Sequence, residues 1–347
     1  MSNLETAPHE EVCSAGPGSP SPLEILEPRQ VPLGGPRAMT VRRTLPQRQR
    51  SMVGAWCFLD HYGPDDVSHG PGMQVPPHPH TGLQTVSWLF AGEILHRDSV
   101  GSVCTVIPGE LNLMTAGHGI SHSEQSPEPV TSRPPTLHGV QLWTALPASA
   151  LSAAPAFEHH ADLPVLRAPG VVVRVFLVQL PAQDHLGTAS LRSPATTFTP
   201  LLGAQIDLAP GAELTLILDP TFEHAVLVDT PAAIRVEETL LGRSELGFLA
   251  AGADQTTLRA APHAPARLVL IGGEPFGEEI VMWWNFVGRS HEDVVQARAD
   301  WSRQLGEPAP EVATSAARFG TVAGYDGPAL PAPQLPGVRL APRRNPD

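Results

Sequence analysis

Two short pairs, His78-Pro79-His80 and His122-Ser123-Glu124, each set two metal-ligating side chains two residues apart. On extended backbone, residues i and i+2 point to the same face, so each pair can grip one ion from one side. Imidazole nitrogen together with a carboxylate oxygen suits Fe, Mn, Co, Ni, Cu or Zn. Four such ligands leave positions of an octahedron open, and an open position separates a reactive metal from a closed structural one. The competing reading, four unrelated polar residues, does not account for the matched spacing.

Strands must carry these pairs to one place. Residues 84–90 are rich in β formers, Ala91-Gly92-Glu93 reads as a turn, and 94–99 can return as the second strand of a hairpin. Residues 103–107, the Pro108-Gly109 turn and 111–115 predict a second pair. Antiparallel strands folded back in this way bring residue 80 beside residue 122, with the ion at a barrel mouth.

The spacing Gly72, His78-x-His80, Gln84, Gly92 resembles the first cupin motif, and Gly119-Ile120-Ser121-His122 resembles the end of the second. The fuller string HPHTG…LHRDS…PGELNLMTAGHGISHSE is similar to the pirin family over roughly 50 contiguous residues. That resemblance implies an all-β bicupin, two cupin-type β-barrels with a short C-terminal helix. It implies one divalent transition metal on His78, His80, His122 and Glu124, with Fe(II) favoured and Cu, Mn, Co, Ni or Zn as the other choices. Gln84 stands where cupins place a glutamate, a position that is not the carboxylate ligand in pirins. His118 departs from the arginine or small residue usual there.

Several pirins have quercetin 2,3-dioxygenase activity, so the resemblance implies a flavonol or related phenolic substrate, O2 as co-substrate, and Glu124 as the catalytic base. Other pirins are metal-dependent regulators that bind a transcription factor or a metabolic enzyme, and both readings use the same four ligands. A monomer is the family expectation. His96 and His118 lie within the motif region, where either could orient a ligand histidine by a hydrogen bond; a place on the barrel surface or pocket rim is the plainer role.

The chain of 347 residues has length for two domains, and its 39 Pro and 31 Gly with 16% charged residues predict a turn-rich β protein. All 22 basic residues are arginine, the net charge is −13, and no basic run exceeds two residues. A nucleic-acid interface needs a concentrated basic footprint, so direct DNA binding is not expected. The first residues do not read as a signal peptide, and no stretch approaches 18 apolar residues; no membrane association and a cytoplasmic location are expected. Cys13, Cys57 and Cys104 form no C-x-x-C pair and predict no disulfide framework.

Residues 1–28 are Pro-, Ser- and Gly-rich and predict a disordered tail, with order beginning near Val31. The first barrel is expected over 29–150 and carries the metal, with 60–77 as the loop that delivers His78. A second barrel is expected over 151–290, in which His185, His224 and His263 form no chelating pair, so it is expected to be metal-free. Residues 291–305 predict a helix capped by Ser290, with Asp293 completing a capping box, and 306–347 an extended Pro/Ala-rich tail.

Overall fold

The computed structural model describes residues 23–32, 39–128, 134–180, 191–309, 314–315, 317–342 and 345. The predicted tail up to residue 22, with Cys13, and the loop containing His185 lie outside them. In the first half the strands are β1 (Glu24–Leu26), β2 (Arg29–Pro32), β3 (Thr40–Leu45), β4 (Trp56–Asp66), β5 (Gln74–His80), β6 (Leu83–Ala91), β7 (Ile94–Asp98), β8 (Val103–Val106), β9 (Leu111–Thr115), β10 (Ile120–Gln125) and β11 (Thr136–Ala145). The second half contains β12 (Ala156–His160), β13 (Val165–Ala168), β14 (Val171–Leu180), β15 (Leu191–Arg192), β16 (Leu201–Leu208), β17 (Glu213–Ile217), β18 (Glu223–Val228), β19 (Ile234–Val236) and β20 (Thr239–Leu241). It continues through β21 (Leu246–Leu249), β22 (Gln255–Arg259), β23 (Ala266–Gly273), β24 (Val281–Trp283) and β25 (Phe286–Gly288) to one helix, α1 (His291–Gln304).

These strands build two antiparallel barrels, each of one large and one small sheet. In the first, the order β12-β9-β6-β11-β4-β3-β2 goes with β5-β10-β7-β8; in the second, β1-β21-β18-β23-β16-β14-β13 goes with β17-β22-β19-β20. The two predicted hairpins do not form. β6 pairs with β11 and β9, whereas β7 pairs with β10 and β8, so the turns at Gly92 and Pro108-Gly109 carry the chain from one sheet to the other. Gly92 has φ +92°, and a Cβ there would meet the Thr136 carbonyl at 2.4 Å. That close approach is a corner's requirement, and its turn residues are those of a hairpin.

The halves also exchange edges. β1 joins the second barrel by pairing with β21, so order begins before Val31, and β12 closes the first barrel's sheet on β9 beyond residue 150. β4 continues to Asp66, held by β11 through Thr136↔Asp66, where the sequence had suggested a loop. The large sheets pack face to face, and their alternate residues form one core shared by both halves. Trp56, Trp88, Val140 and Leu142 meet Phe176, Leu227, Phe248 and Ile271 there. Gly54 and Gly273 let the halves come close, since a Cβ on Gly54 would lie 2.8 Å from the Gly273 Cα.

A buried polar clasp also joins the barrels. The Asp229 carboxylate accepts from His61 Nε2 at 2.8 Å and His138 Nε2 at 2.6 Å, and His61 Nδ1 lies 2.9 Å from Ser244 Oγ. Burial lowers the His61 pKa to about 4, an effect only partly offset by Asp229. Between pH ~6.5 and ~4 the unfolded chain therefore binds a proton that the folded one refuses, and stability falls with pH by up to about 3 kcal/mol from this group. In guanidinium titrations across that window, His61→Asn should lose less stability than the wild type. Equal pH slopes would contradict the assignment.

Ser290 caps α1 by accepting from Asp293 N, and the Asp293 side chain returns the bond, so both halves of the expected capping box are present. Val294, Ala297 and Trp301 bury one stripe of the helix. The described residues beyond Gly306 form no strand or helix, yet they dock. Trp301 Nε1 donates to the Leu330 carbonyl at 2.8 Å, Leu330 N to Pro77 O at 2.7 Å, and Ser121 Oγ to Gly320 O at 3.2 Å. The last segment is thus packed over the two strands that carry the histidine pairs.

Candidate metal centre

β5 and β10 lie side by side with Ile120 opposite His80 and His122 opposite His78. That register turns three imidazoles inward. His78 Nε2 and His80 Nε2 lie 2.7 and 3.1 Å from His122 Nε2. Two ligands at right angles on an ion ~2.1 Å away are themselves about 3.0 Å apart, so the spacing fits adjacent positions on one metal.

The outer nitrogens determine what faces inward. His78 Nδ1–H donates to the Pro76 carbonyl at 2.8 Å, and His80 Nδ1–H to the Asn285 carbonyl at 3.2 Å. His96 Nε2–H donates to Asp98 Oδ2 at 3.1 Å, which leaves His96 Nδ1 to accept from His122 Nδ1–H, 3.4 Å away. Assigned through this network, all three Nε2 atoms present lone pairs to one another. Nitrogens disposed in this way are what a shared cation would accept as ligands. All three rings are fully buried, and burial lowers their pKa values, to about 4 at His78 and well below the usual range at His80 and His122. They are neutral, as metal ligands must be.

Glu124 is buried on the same strand, opposite His96 on β7. Its carboxylate falls outside the trio, whose ligand atoms lie within 4.8 Å of one another. The β5–β10 register shifts between His122 and Glu124, which offsets the carboxylate from the histidine pair. The Ser87 hydroxyl lies 3.0 Å from Gln141 Oε1 and 3.5 Å from Glu124 Oε1. Its single hydrogen serves the nearer acceptor, Gln141.

The remaining residues singled out in the sequence fall as follows. His96 touches the trio and stacks on Phe157 at 4.6 Å. His118 is exposed, with Nδ1 3.0 Å from the Ala153 carbonyl, and does not reach the trio. Gln84 spends its amide on Thr115 Oγ1 and the Thr196 carbonyl. Cys57 is a core residue whose thiol burial pushes up to about 12, and among the described residues neither Cys57 nor Cys104 is in a disulfide.

Sequence reasoning missed Ser87, Gln141, Asp98 and Asn285. Ser87 and Gln141 are polar residues paired with each other across β6 and β11, a pairing that the register reveals and residue types alone do not. Asn285 acts through its backbone carbonyl from the turn between β24 and β25, where Trp284 takes φ +53°, and its residue type carries no trace of that.

Comparison with known proteins agrees with this picture. The pirin family profile matches residues 38–144, and the profile of the pirin C-terminal cupin domain matches 203–305. A Pseudomonas aeruginosa protein named "Putative quercetin 2,3-dioxygenase" is 42% identical over 90% of this chain and 91% of its own. A pirin-like protein of Caulobacter vibrioides is 34% identical over 80% of this chain and 92% of its own. The crystal structure of a quercetin 2,3-dioxygenase from Acinetobacter baumannii superposes with a TM-score of 0.79 at 35% identity, covering 92% of this chain and 97% of that one. Both barrels, their order along the chain and the histidine-bearing strands of the first are accounted for together: the chain belongs to the pirin family of cupin proteins.

Proposed function

We propose that the first barrel holds one divalent transition metal, Fe(II) favoured, through His78, His80, His122 and Glu124, and that the protein is a ring-opening dioxygenase of the quercetin 2,3-dioxygenase type. The observation that carries the reading is the convergence of three imidazole nitrogens, His78 Nε2 and His80 Nε2 lying 2.7 and 3.1 Å from His122 Nε2. Two relatives at 35% identity or more bear that activity in their names.

The bound metal would supply a Lewis acid that acidifies the flavonol 3-hydroxyl and a redox partner for O2. Glu124 takes the 3-hydroxyl proton. Trp143, edge-on to His80 with ring centroids 5.2 Å apart, and Phe157, stacked on His96, fix the imidazoles and keep water from that side. In the balanced reaction both atoms of O2 enter the ring-opened product and the flavonol C3 leaves as carbon monoxide.

The Asp98–His96 pair fixes the tautomer of His122. His96→Phe keeps the stacking on Phe157 and removes the acceptor, so metal affinity should fall by about 10–100-fold, read by chelator competition against zinc. Unchanged affinity would remove His96 from the account.

The function is tested by adding quercetin to Fe(II)-loaded protein without oxygen. Ionisation of the 3-hydroxyl should move the long-wavelength flavonol band to the red, and admitting O2 should bleach it with matching oxygen uptake. Metal-loaded protein that produces neither change contradicts the proposal.

A further inference from the structure

The second barrel contains a cavity of about 210 Å³, lined by Val178, Leu201, Leu202, Leu218, Phe222 and His224. One side is a lateral row of the sheet, in which His224 pairs with Gly272, Gly272 with Leu202, and Leu202 with Val178. The glycine makes room for the ring, because a Cβ at position 272 would stand 2.9 Å from His224 Cδ2.

His224 is only 1% exposed, yet neither ring nitrogen makes a hydrogen bond to a described residue. The Phe222 carbonyl lies near enough to favour an N–H on one side without hydrogen-bond geometry, and burial lowers the pKa to about 4, so the ring is neutral. Buried His61 satisfies both of its nitrogens, and burying two unpaired polar atoms is costly. The lining contains two polar side chains, Asp219, which Thr221 holds, and this imidazole, which has no hydrogen-bond partner among the described residues.

We propose that the second barrel binds a small uncharged apolar molecule bearing a hydroxyl, of the size of a single-ring phenol, with the hydroxyl hydrogen-bonded to His224. A hydroxyl can donate to the unprotonated ring nitrogen or accept from the protonated one. Asp219, at the cavity wall, is already held by Thr221 N and Oγ1 at 2.9 and 2.6 Å, and its charge disfavours an anionic ligand. An apolar protein cavity of ~150 Å³ suffices for benzene, so phenol fits. The inference is independent of the metal reading, since no residue of this cavity touches the first barrel's histidine trio.

Phenol titrated into zinc-loaded full-length protein, followed by saturation-transfer NMR with benzene as control, tests it. Wild type and His122→Ala should bind phenol alike. Leu202→Trp, which fills the cavity, should lose binding, and His224→Leu should weaken phenol by about tenfold while leaving benzene unchanged. If Leu202→Trp does not fold, the His224→Leu comparison decides alone. Binding lost in His122→Ala and kept in His224→Leu, or no saturable binding to wild type, overturns the proposal. So does a crystal structure in which ordered waters on both His224 nitrogens persist under saturating phenol.

Discussion

His122→Ala is expected to release the metal and abolish flavonol turnover while the barrel stays folded. His122 Nε2 is the common neighbour of the other two nitrogens, at 2.7 and 3.1 Å, so its removal leaves two imidazoles and a carboxylate offset from them. A site with three donors on one face becomes one with two, and retained metal becomes exchangeable metal. Mutation should not unfold the protein, because the apolar clusters that fill this half do not include the trio. Metal analysis after desalting, beside a thermal melt, reads the two quantities separately. Retained stoichiometric metal in a folded variant would show that the ion sits elsewhere.

Glu124→Gln separates binding from chemistry. The amide keeps the size and a carbonyl oxygen but cannot take a proton at neutral pH. Turnover should fall by about 10²–10⁴-fold, the range for loss of a positioned general base, with metal content largely kept by the three histidines. The Ser87 hydroxyl contributes little to holding the carboxylate, being nearer to Gln141, so Ser87→Ala should cost far less than Glu124→Gln when kcat is compared on the same metal-loaded preparations. Equal losses would mean that Glu124 is only a structural partner of Ser87.

Much of the site can be read from residue types, because chelation needs particular atoms at particular spacings. The i, i+2 spacing picks out His78, His80 and His122, which converge, while Glu124 lies outside their cluster, and the capping box gives the start of α1 at Ser290. Whatever depends on which strand lies next to which is not encoded locally. A turn at Gly92 or Pro108-Gly109 reads the same whether the chain returns to its neighbour or crosses to the other sheet. β1 and β12 join strands more than forty residues away, and edge pairing through backbone groups leaves no mark on side-chain identity.

The same limit hides the support of the trio. His96 lies in the motif, but only the register that sets it opposite Glu124 brings its ring to His122. His80 is oriented by the Asn285 carbonyl from 205 residues along the chain, which any residue type could supply. The final segment reads as featureless Pro/Ala sequence, yet Phe319 and Leu340 are buried among Trp283, Trp284 and Trp301. Its hydrophobic anchors are too sparse to show a period, and they act one at a time against a surface made by the rest of the fold.

The most direct test is aerobic turnover of quercetin by protein loaded with Fe(II), measuring carbon monoxide released and metal bound on the same sample, with His122→Ala alongside. One metal per chain with carbon monoxide formed in step with quercetin consumed, and both lost in the variant, is the predicted result. Wild-type protein that holds one metal yet releases no carbon monoxide would contradict the dioxygenase account.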